Sequence, residues 1–362
     1  MRILMLATDA HGGFGGIAQY NRDVIDAMCG LERVAEVTVL PRIMPEAGFT
    51  HPAKSTYDLA SAAGARGFIT RSAAHGLGRY DVVYCAHINL LPIAAAVARA
   101  RRLPLVLAIY GIDAWQRPVG LAGLFGVGAV SLVVSISQIT LDRFLAWSGV
   151  AAEKCALLPN AIHAADFAIG TKDNALAQRL GVAGRPVILT FGRMSADERY
   201  KGFDEVLEAM PRLIERLPGL VYVAAGDGSD RARLELKAEA LGVKDHVRFS
   251  GRVSEAEKAD LYRLADAYVM PSSGEGFGFV VLEALACGLP VVASSTDGTR
   301  EAVRGGELGA VVDPKDSAAL ERAIIEALAR PKAILEGLDY FSFANFQKRL
   351  AAALAAVVRV QV

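Results

Sequence analysis

Ser272-Ser273-Gly274-Glu275-Gly276-Phe277-Gly278-Phe279-Val280-Val281-Leu282-Glu283-Ala284 follows a short apolar run, Ala267 to Met270, and leads into an apolar helix. The run reads as a buried strand. Gly288 and Pro290 fit the stop of the helix, with glycine just past its end and proline shortly after. The local geometry is therefore strand, glycine loop, helix. Main-chain N–H groups in such a loop, together with the positive end of the helix, suit an anionic ligand. Glu275 stands in the loop, and Glu283 lies about one turn into the helix, roughly 6 Å along its axis. A sugar nucleotide offers what both features need, hydroxyls for the carboxylates and a diphosphate for the N–H groups. Plain architecture gives the same pattern, because glycine turns are common in α/β proteins and half-buried glutamates are often only capped or solvated.

The surrounding sequence repeats this alternation. Strands are expected at Val187–Phe191, Val221–Ala225, Val247–Phe249, Ala267–Met270, Val291–Ala293 and Ala310–Val312. Helices fall near Glu205–Arg216, Arg231–Leu241, Glu255–Leu264, Val280–Cys287 and Ser317–Ala329. The first half has the same rhythm. Its strands are Ile3–Ala7, Val37–Leu40, Val82–Cys85, Leu105–Ile109, Leu132–Ile136 and Ala156–Leu158. Its helices lie near Ile17–Met28, Leu91–Ala100, Val119–Gly126 and Ile139–Trp147. Strands alternating with helices imply doubly wound parallel sheets, one in each half. Residues 41–80 are less regular and read as a long excursion around short helices. Excursions beyond the carboxyl ends of strands often shape ligand sites. A last helix, Ala344–Val358, follows an apparently complete second sheet. The expected divisions are 1–163, 164–340 and 341–362.

At 362 residues the chain can bury two cores. Apolar residues make up 53% and charged residues 22%, with a mean hydropathy of +0.32, which excludes a disordered chain. The net charge is zero, arguing against nucleic acid as the main partner. Through residue 165 there are 14 Lys and Arg against 11 Asp and Glu, a surplus of three that suits an anionic acceptor or a membrane surface. Cys29, Cys85, Cys155 and Cys287 are widely spaced and include no CxxC, so they read as buried thiols in a reducing compartment. The start of the chain is too soon interrupted for a signal peptide and reads as a first strand. Pro118 to Thr140 carries no charge and is long enough to span a bilayer. Its glycines and strand-like end favour a helix followed by a buried strand.

Three further clusters fall after expected strands. His11-Gly12-Gly13-Phe14-Gly15-Gly16 follows the first strand, and Gly13-x-Gly15-x-x-Ala18 fits a dinucleotide fingerprint. That reading needs an acidic residue closing the next strand, where Pro41-Arg42 stands instead. A tight turn or a phosphate- or sugar-facing loop remains. Arg193 and Lys201, in Gly192-Arg193-Met194-Ser195-Ala196-Asp197-Glu198-Arg199-Tyr200-Lys201-Gly202, are placed to clamp a diphosphate. Each such charge-assisted bond contributes about 1.5–3 kcal/mol. Lone basic residues in loops are usually solvated. Here Gly226-Asp227-Gly228, Glu275 and Glu283 share the same expected sheet edge.

Together these residues resemble the donor-binding domain of the retaining glycosyltransferase family 4. The match runs through Gly192-Arg193, Lys201-Gly202-Phe203, Gly226-Asp227-Gly228, Phe249-Ser250-Gly251-Arg252-Val253, Pro271-Ser272, Glu275-Gly276-Phe277-Gly278 and Glu283-Ala284. The two glutamates keep that family's Glu-x7-Glu spacing. The likeness is strong over about 187–313 and looser before it. It implies a GT-B fold, two Rossmann-like domains facing a central cleft, with an acceptor-binding first domain, a donor-binding second domain and a last helix crossing back to the first. It also implies sugar transfer from a UDP- or GDP-sugar to an acceptor hydroxyl with retention at the anomeric carbon.

By the same resemblance, Arg193 and Lys201 neutralise the diphosphate, Glu283 holds the ribose, and Glu275 faces the transferred sugar beside the N–H groups of Phe277, Gly278 and Phe279. Gly276 and Gly226 line the donor loops, Arg252 and Val253 flank the base, and Gly15 and Gly16 approach the donor from the first domain. Asn160 lies in a hinge-like Pro-Asn pair. No Asp-x-Asp pair follows a strand, so neither a metal nor another cofactor is expected. One departure concerns the acceptor side. Many members carry a histidine after the strand equivalent to Leu105–Ile109, where this chain has Tyr110-Gly111-Ile112-Asp113. Tyr110 can donate a hydrogen bond but is a poor base; Asp113 or His87 is the expected substitute. The family implies a saccharide or lipid-linked saccharide acceptor, as in surface polysaccharide synthesis. It implies a cytoplasmic location, with room for peripheral contact at the inner membrane face through the first domain. The rival readings are a nicotinamide oxidoreductase, a nucleotide-sugar epimerase or hydrolase of the same fold, and a non-catalytic nucleotide-binding relative.

Overall fold

Apolar runs that carry almost no polar residues, such as Ile3-Leu4-Met5-Leu6-Ala7, form strands only where both sheet faces are covered. In the computed structural model, which describes residues 1–118, 126–163 and 166–358, such runs build two parallel sheets. The chain divides into two compact units, Met1–Ala161 with Phe341–Val362, and Ile162–Tyr340.

The first unit contains β1 (Arg2–Ala7), β2 (Glu36–Pro41), β3 (Ser55–Tyr57), β4 (Val82–Cys85), β5 (Leu105–Ile109), β6 (Leu132–Ser135) and β7 (Cys155–Leu157). Their spatial order is β3-β2-β1-β4-β5-β6-β7, all parallel. Ile3 through Ala7 are fully buried, as are Val83, Leu105 and Leu107. Each of the Ile, Leu, Met and Val side chains contributes about 1.5–3 kcal/mol by leaving water. The last helix, Phe343–Val358, packs in this unit on the first helix, Gly16–Cys29. The Phe346 ring meets Tyr20 edge-on at 5.6 Å, and Gln347 Nε2 donates to the Ala27 carbonyl at 3.0 Å.

The second unit contains β8 (Val187–Phe191), β9 (Val221–Ala225), β10 (Val247–Gly251), β11 (Ala267–Met270), β12 (Val291–Ser294) and β13 (Ala310–Val312). Their order is β10-β9-β8-β11-β12-β13, again all parallel. The core below them joins Ile188, Val206, Leu213, Tyr222, Val269 and Ile324.

The doubly wound sheets read from sequence are thus present in both units. Residues 41–80 contain more order than a loose excursion, namely β3 and a helix, Gly64–His75. The helix expected at Val119–Gly126 falls on residues 119–125, outside the described residues. No helix among the described residues is long and apolar enough to cross a membrane. All four cysteines are free thiols, Cys155 being half-buried and the others buried.

Candidate functional site

In each sheet the winding reverses beside the first strand, between β1 and β4 in the first unit and between β8 and β11 in the second. The loops that leave the carboxyl ends of such neighbouring strands diverge and leave a crevice. In the second unit these are the loop after β8, carrying Arg193 and Lys201, and the loop after β11, carrying Glu275.

The main chain around Arg193 is pinned to the loop after β9. Gly192 N–H donates to Ala225 O at 2.9 Å, Met194 N–H to Asp227 O at 3.0 Å, and Gly226 N–H to Gly251 O at 3.1 Å. These loops approach so closely that a Cβ on Gly226 would lie 1.9 Å from the Gly192 oxygen, and its φ of 122° also demands glycine. The Arg193 side chain stays 71% exposed and is gripped at both ends of its fork by Glu198. That carboxylate raises the guanidinium pKa above its ordinary value.

Lys201 is more enclosed. Its ammonium lies 2.5 Å from Glu275 Oε1 and 3.7 Å from Glu198 Oε2. Burial works against its charge, but the Glu275 carboxylate outweighs burial and raises its pKa. Ser273 N–H donates to Tyr200 O at 2.8 Å, so the two loops are also joined through the main chain. The structure thus brings Arg193, Lys201 and Glu275 together, with Glu198 as an added counter-ion.

Behind them the helix Phe279–Ala286 starts at Gly278 with no side-chain cap. The first N–H groups of a helix lack intrahelical acceptors, so this end is open to an anion. Glu283, on this helix, is held by two residues of another. Ser254 caps the helix Glu255–Leu264, its hydroxyl accepting the Glu257 N–H at 3.3 Å and donating to the Glu257 carboxylate at 3.1 Å, and the helix's i,i+4 pair Lys258 and Tyr262 shares one face. Lys258 Nζ lies 2.6 Å from Glu283 Oε1, and Tyr262 donates to Oε2 at 2.7 Å. The Tyr262 ring stacks on Phe191 at the end of β8, with centroids 6.0 Å apart. Arg252 and Val253 line a small hollow with Leu176, Arg179 and Leu261, next to the end of β10.

In the first unit, Gly15 caps the helix Gly16–Cys29 at φ 89°, with open space where a side chain would stand. His87 follows β4; burial lowers its pKa, and its Nδ1 accepts the Asn89 N–H at 3.1 Å. Tyr110 follows β5, is buried, and places its hydroxyl 2.8 Å from Asn21 Oδ1 and 2.9 Å from Ala86 O. Its one proton is therefore used inside the unit. Asn160 is buried with no partner for its Oδ1.

Asp113 has an Oδ2 without a partner. Burial pushes its carboxyl up to about 7 from 3.8, against the N–H groups of Tyr110, Asp113 and Gly111. The folded chain therefore keeps this proton in a range where the unfolded chain has lost it. The stabilising contribution is complete below about pH 4 and disappears as pH rises through about 7. Asp113→Asn is thus expected to gain melting temperature relative to the parent from about pH 5 to about pH 8. A constant difference in a pH series of thermal melts would show an ordinary carboxyl.

Glu198, Lys258 and Tyr262 escaped the reading of the sequence. The Ser254 cap marks the start of the helix that carries Lys258 and Tyr262, but no local signal pairs it with Glu283.

Comparison with known proteins bears on the family and the fold. The family described as "Glycosyl transferases group 1" matches residues 172–336. The chain is 34% identical over 287 residues to "D-inositol 3-phosphate glycosyltransferase 1" of Catenulispora acidiphila, covering 72% of this chain and 67% of the relative. It is 33% identical over 258 residues to "GDP-mannose-dependent alpha-(1-6)-phosphatidylinositol monomannoside mannosyltransferase" of Mycolicibacterium smegmatis, covering 68% and 66%. The chain thus spans about two thirds of the length of these curated relatives. Among solved structures, Anabaena HepE in complex with UDP superposes with a TM-score of 0.75 at 22% identity, over 98% of this chain and 100% of that one. At that identity the likeness concerns the fold, which is GT-B.

Proposed function

Because the chain belongs to the glycosyl transferases group 1 family, we propose that it moves a sugar from a nucleotide-sugar donor to an acceptor hydroxyl with retention at the anomeric carbon. The observation that carries this reading is the convergence of Lys201, Arg193 and Glu275 at the β8–β11 reversal, with Glu283 anchored on the next helix.

In this proposal Arg193 and Lys201 leave their carboxylates for the donor diphosphate and stabilise the charge that grows on the departing nucleoside diphosphate. Glu283 accepts hydrogen bonds from the ribose, and Glu275 meets the transferred sugar beside the N–H groups of Phe277, Gly278 and Phe279. Arg252 and Val253 flank the base. Gly15 and Gly16 keep the role that the resemblance assigns them, a close main-chain approach to the donor. Two cations supply the neutralisation, so no divalent metal is required. In a front-face reaction the leaving phosphate accepts the acceptor's proton, and His87 or Asp113 orients that hydroxyl. If His87→Ala and Asp113→Asn both keep full turnover, neither residue has that task.

The two relatives are named for D-inositol 3-phosphate and for phosphatidylinositol monomannoside. We take the acceptor to be a saccharide or cyclitol hydroxyl on a phosphate-bearing or lipid-linked molecule, met at the cytoplasmic membrane face. The surplus of three positive charges in residues 1–165 suits such an anion. The deciding experiment screens UDP-, GDP- and ADP-sugars by thermal shift, then follows the product with inositol phosphate and phosphatidylinositol acceptors in EDTA. A ligand at 100 times its Kd stabilises by about 2.7 kcal/mol, well within reach of the method. One nucleotide should shift the melt while NAD(P) does not, and the product should keep the donor's anomeric configuration. No shift with any nucleotide sugar refutes the transferase reading; an inverted product refutes retention; turnover restored only by Mn²⁺ or Mg²⁺ refutes metal independence.

Glu198 sets a further expectation. It competes with the diphosphate for Arg193 and stands within ionic reach of Lys201. Glu198→Gln should bind the nucleoside diphosphate about 3–10-fold more tightly, a gain of roughly 0.7–1.4 kcal/mol by titration calorimetry. Weaker binding would mean that Glu198 presents Arg193 to the phosphate rather than withholding it.

A further inference from the structure

Glu275 owes its position to a loop on the far side of the site. Asp297 lies in the turn after β12 and is 1% exposed. Its Oδ2 accepts the Glu275 N–H at 2.9 Å, and its Oδ1 accepts the Thr299 N–H at 3.0 Å and the Thr299 hydroxyl at 2.7 Å. In return, Gly298 N–H donates to the Glu275 carbonyl at 2.9 Å. Both main-chain polar groups of Glu275 therefore end on residues 297 and 298. Thr299 Oγ1 also accepts the Ser294 N–H at 3.1 Å, which ties the turn to the end of β12. The approach excludes any side chain at 298, where a Cβ would lie 2.0 Å from the Gly276 oxygen.

We propose that Asp297 is the positioning residue for Glu275, acting as a buried acceptor that fixes the loop after β11 against the strand-12 turn. The inference rests on the reading of Glu275 as the carboxylate beside the transferred sugar. A carboxylate has acceptor capacity for all three donors, and bonds to an ionised acceptor are roughly twice as strong as neutral ones. An asparagine has the same shape but turns an NH2 toward one of those donors. If the oxygen faces Glu275, the amide opposes the Thr299 N–H; if it is flipped, it opposes the Glu275 N–H. Either way the stitch loses a bond. The main chain of Glu275 then shifts relative to Lys201, while Glu283 keeps its supports on the helix Glu255–Leu264 and Arg193 its own on Glu198.

The test measures kcat and the Kd for the nucleoside diphosphate product separately in Asp297→Asn, Thr299→Val, Thr299→Ser and Glu275→Gln. Asp297→Asn should lower kcat about 10–100-fold and leave the nucleoside diphosphate Kd within about twofold. Thr299→Val, isosteric but without the hydroxyl, should lower kcat less, about 3–10-fold, and Thr299→Ser should restore it. Thr299→Val carries the test if Asp297→Asn fails to fold. A parallel fall in kcat and nucleotide affinity would assign Asp297 to general architecture and overturn the proposal. Turnover at the parent level in Asp297→Asn and Thr299→Val, with Glu275→Gln impaired, overturns it alone. If Glu275→Gln itself turns over normally, the reading of Glu275 fails first and the positioning role with it.

Discussion

Replacing Lys201 with alanine is expected to lower kcat by about 10²–10³, equivalent to roughly 3–4 kcal/mol of lost transition-state stabilisation. Binding of the nucleoside diphosphate alone should weaken about tenfold, or roughly 1.4 kcal/mol. The difference between the two losses follows from when the charge appears. The donor carries its diphosphate charge before reaction, but the leaving oxygen gains its own only as the glycosidic bond breaks. A cation 15% exposed acts through an effective dielectric of about 20, at which two unit charges about 4 Å apart interact by about 4 kcal/mol, against about 1 kcal/mol in water. Arg193 is 71% exposed and screened, so Arg193→Ala should cost only about tenfold. Lys201→Ala also leaves Glu275 without its partner at 2.5 Å. A Lys201→Ala enzyme within threefold of the parent kcat would remove Lys201 from the transition state.

The residues proposed to carry this chemistry were legible because each lies in a segment that leaves the carboxyl end of a strand. An apolar run fixes where a parallel strand ends, and anything after it lies at one edge of the sheet. Arg193, Lys201, Glu275 and the Gly226 turn are therefore placed together by the sequence pattern alone. The Gly-x-Gly turn and the stop at Gly288 likewise framed the helix that carries Glu283. The supporting partners had no such signal. Lys258 sits 25 positions from Glu283 and Asp297 sits 22 from Glu275, separations that only tertiary packing closes. Ser294-Ser295-Thr296-Asp297-Gly298-Thr299 is rich in side chains that bond to nearby main chain, which marks a turn and not its partner.

The first unit shows the same division. Its core strands could be read as uninterrupted apolar runs, but β3 is three residues of Ser-Thr-Tyr at a sheet edge, too short and polar for periodicity to detect. The helix Gly64–His75 has two glycines and buries little beyond Phe68 and Ser72, so its amphipathic pattern is faint. Tyr110 could be seen to stand where many relatives have histidine. Its engagement with Asn21 and Ala86 depends on a helix 89 residues earlier in the chain. With that hydroxyl committed, His87 and Asp113 are the proposed acceptor-side groups that mutagenesis should address first.

Glu275 and Glu283 should separate under the same substitution. Glu283→Gln is expected to raise the Kd of the nucleoside diphosphate and the KM of the donor about 10–100-fold, or roughly 1.4–2.7 kcal/mol, with kcat within about threefold. In the proposed role its contacts with a ribose exist in the ground state and persist unchanged through bond breaking, which is uniform binding. Alanine is the poorer probe there, because it strands Lys258 and the buried Tyr262 hydroxyl and so adds a stability loss. Glu275→Gln should do the reverse, with kcat falling about 10²-fold and nucleoside diphosphate affinity nearly unchanged, since the product lacks the sugar. Removing its charge also frees Lys201 from its partner at 2.5 Å. Diphosphate affinity in Glu275→Gln is therefore expected to rise slightly, a direction that a merely damaged site does not take. Equal affinity-type losses from both substitutions would collapse the distinction and leave the two carboxylates as one undivided donor pocket.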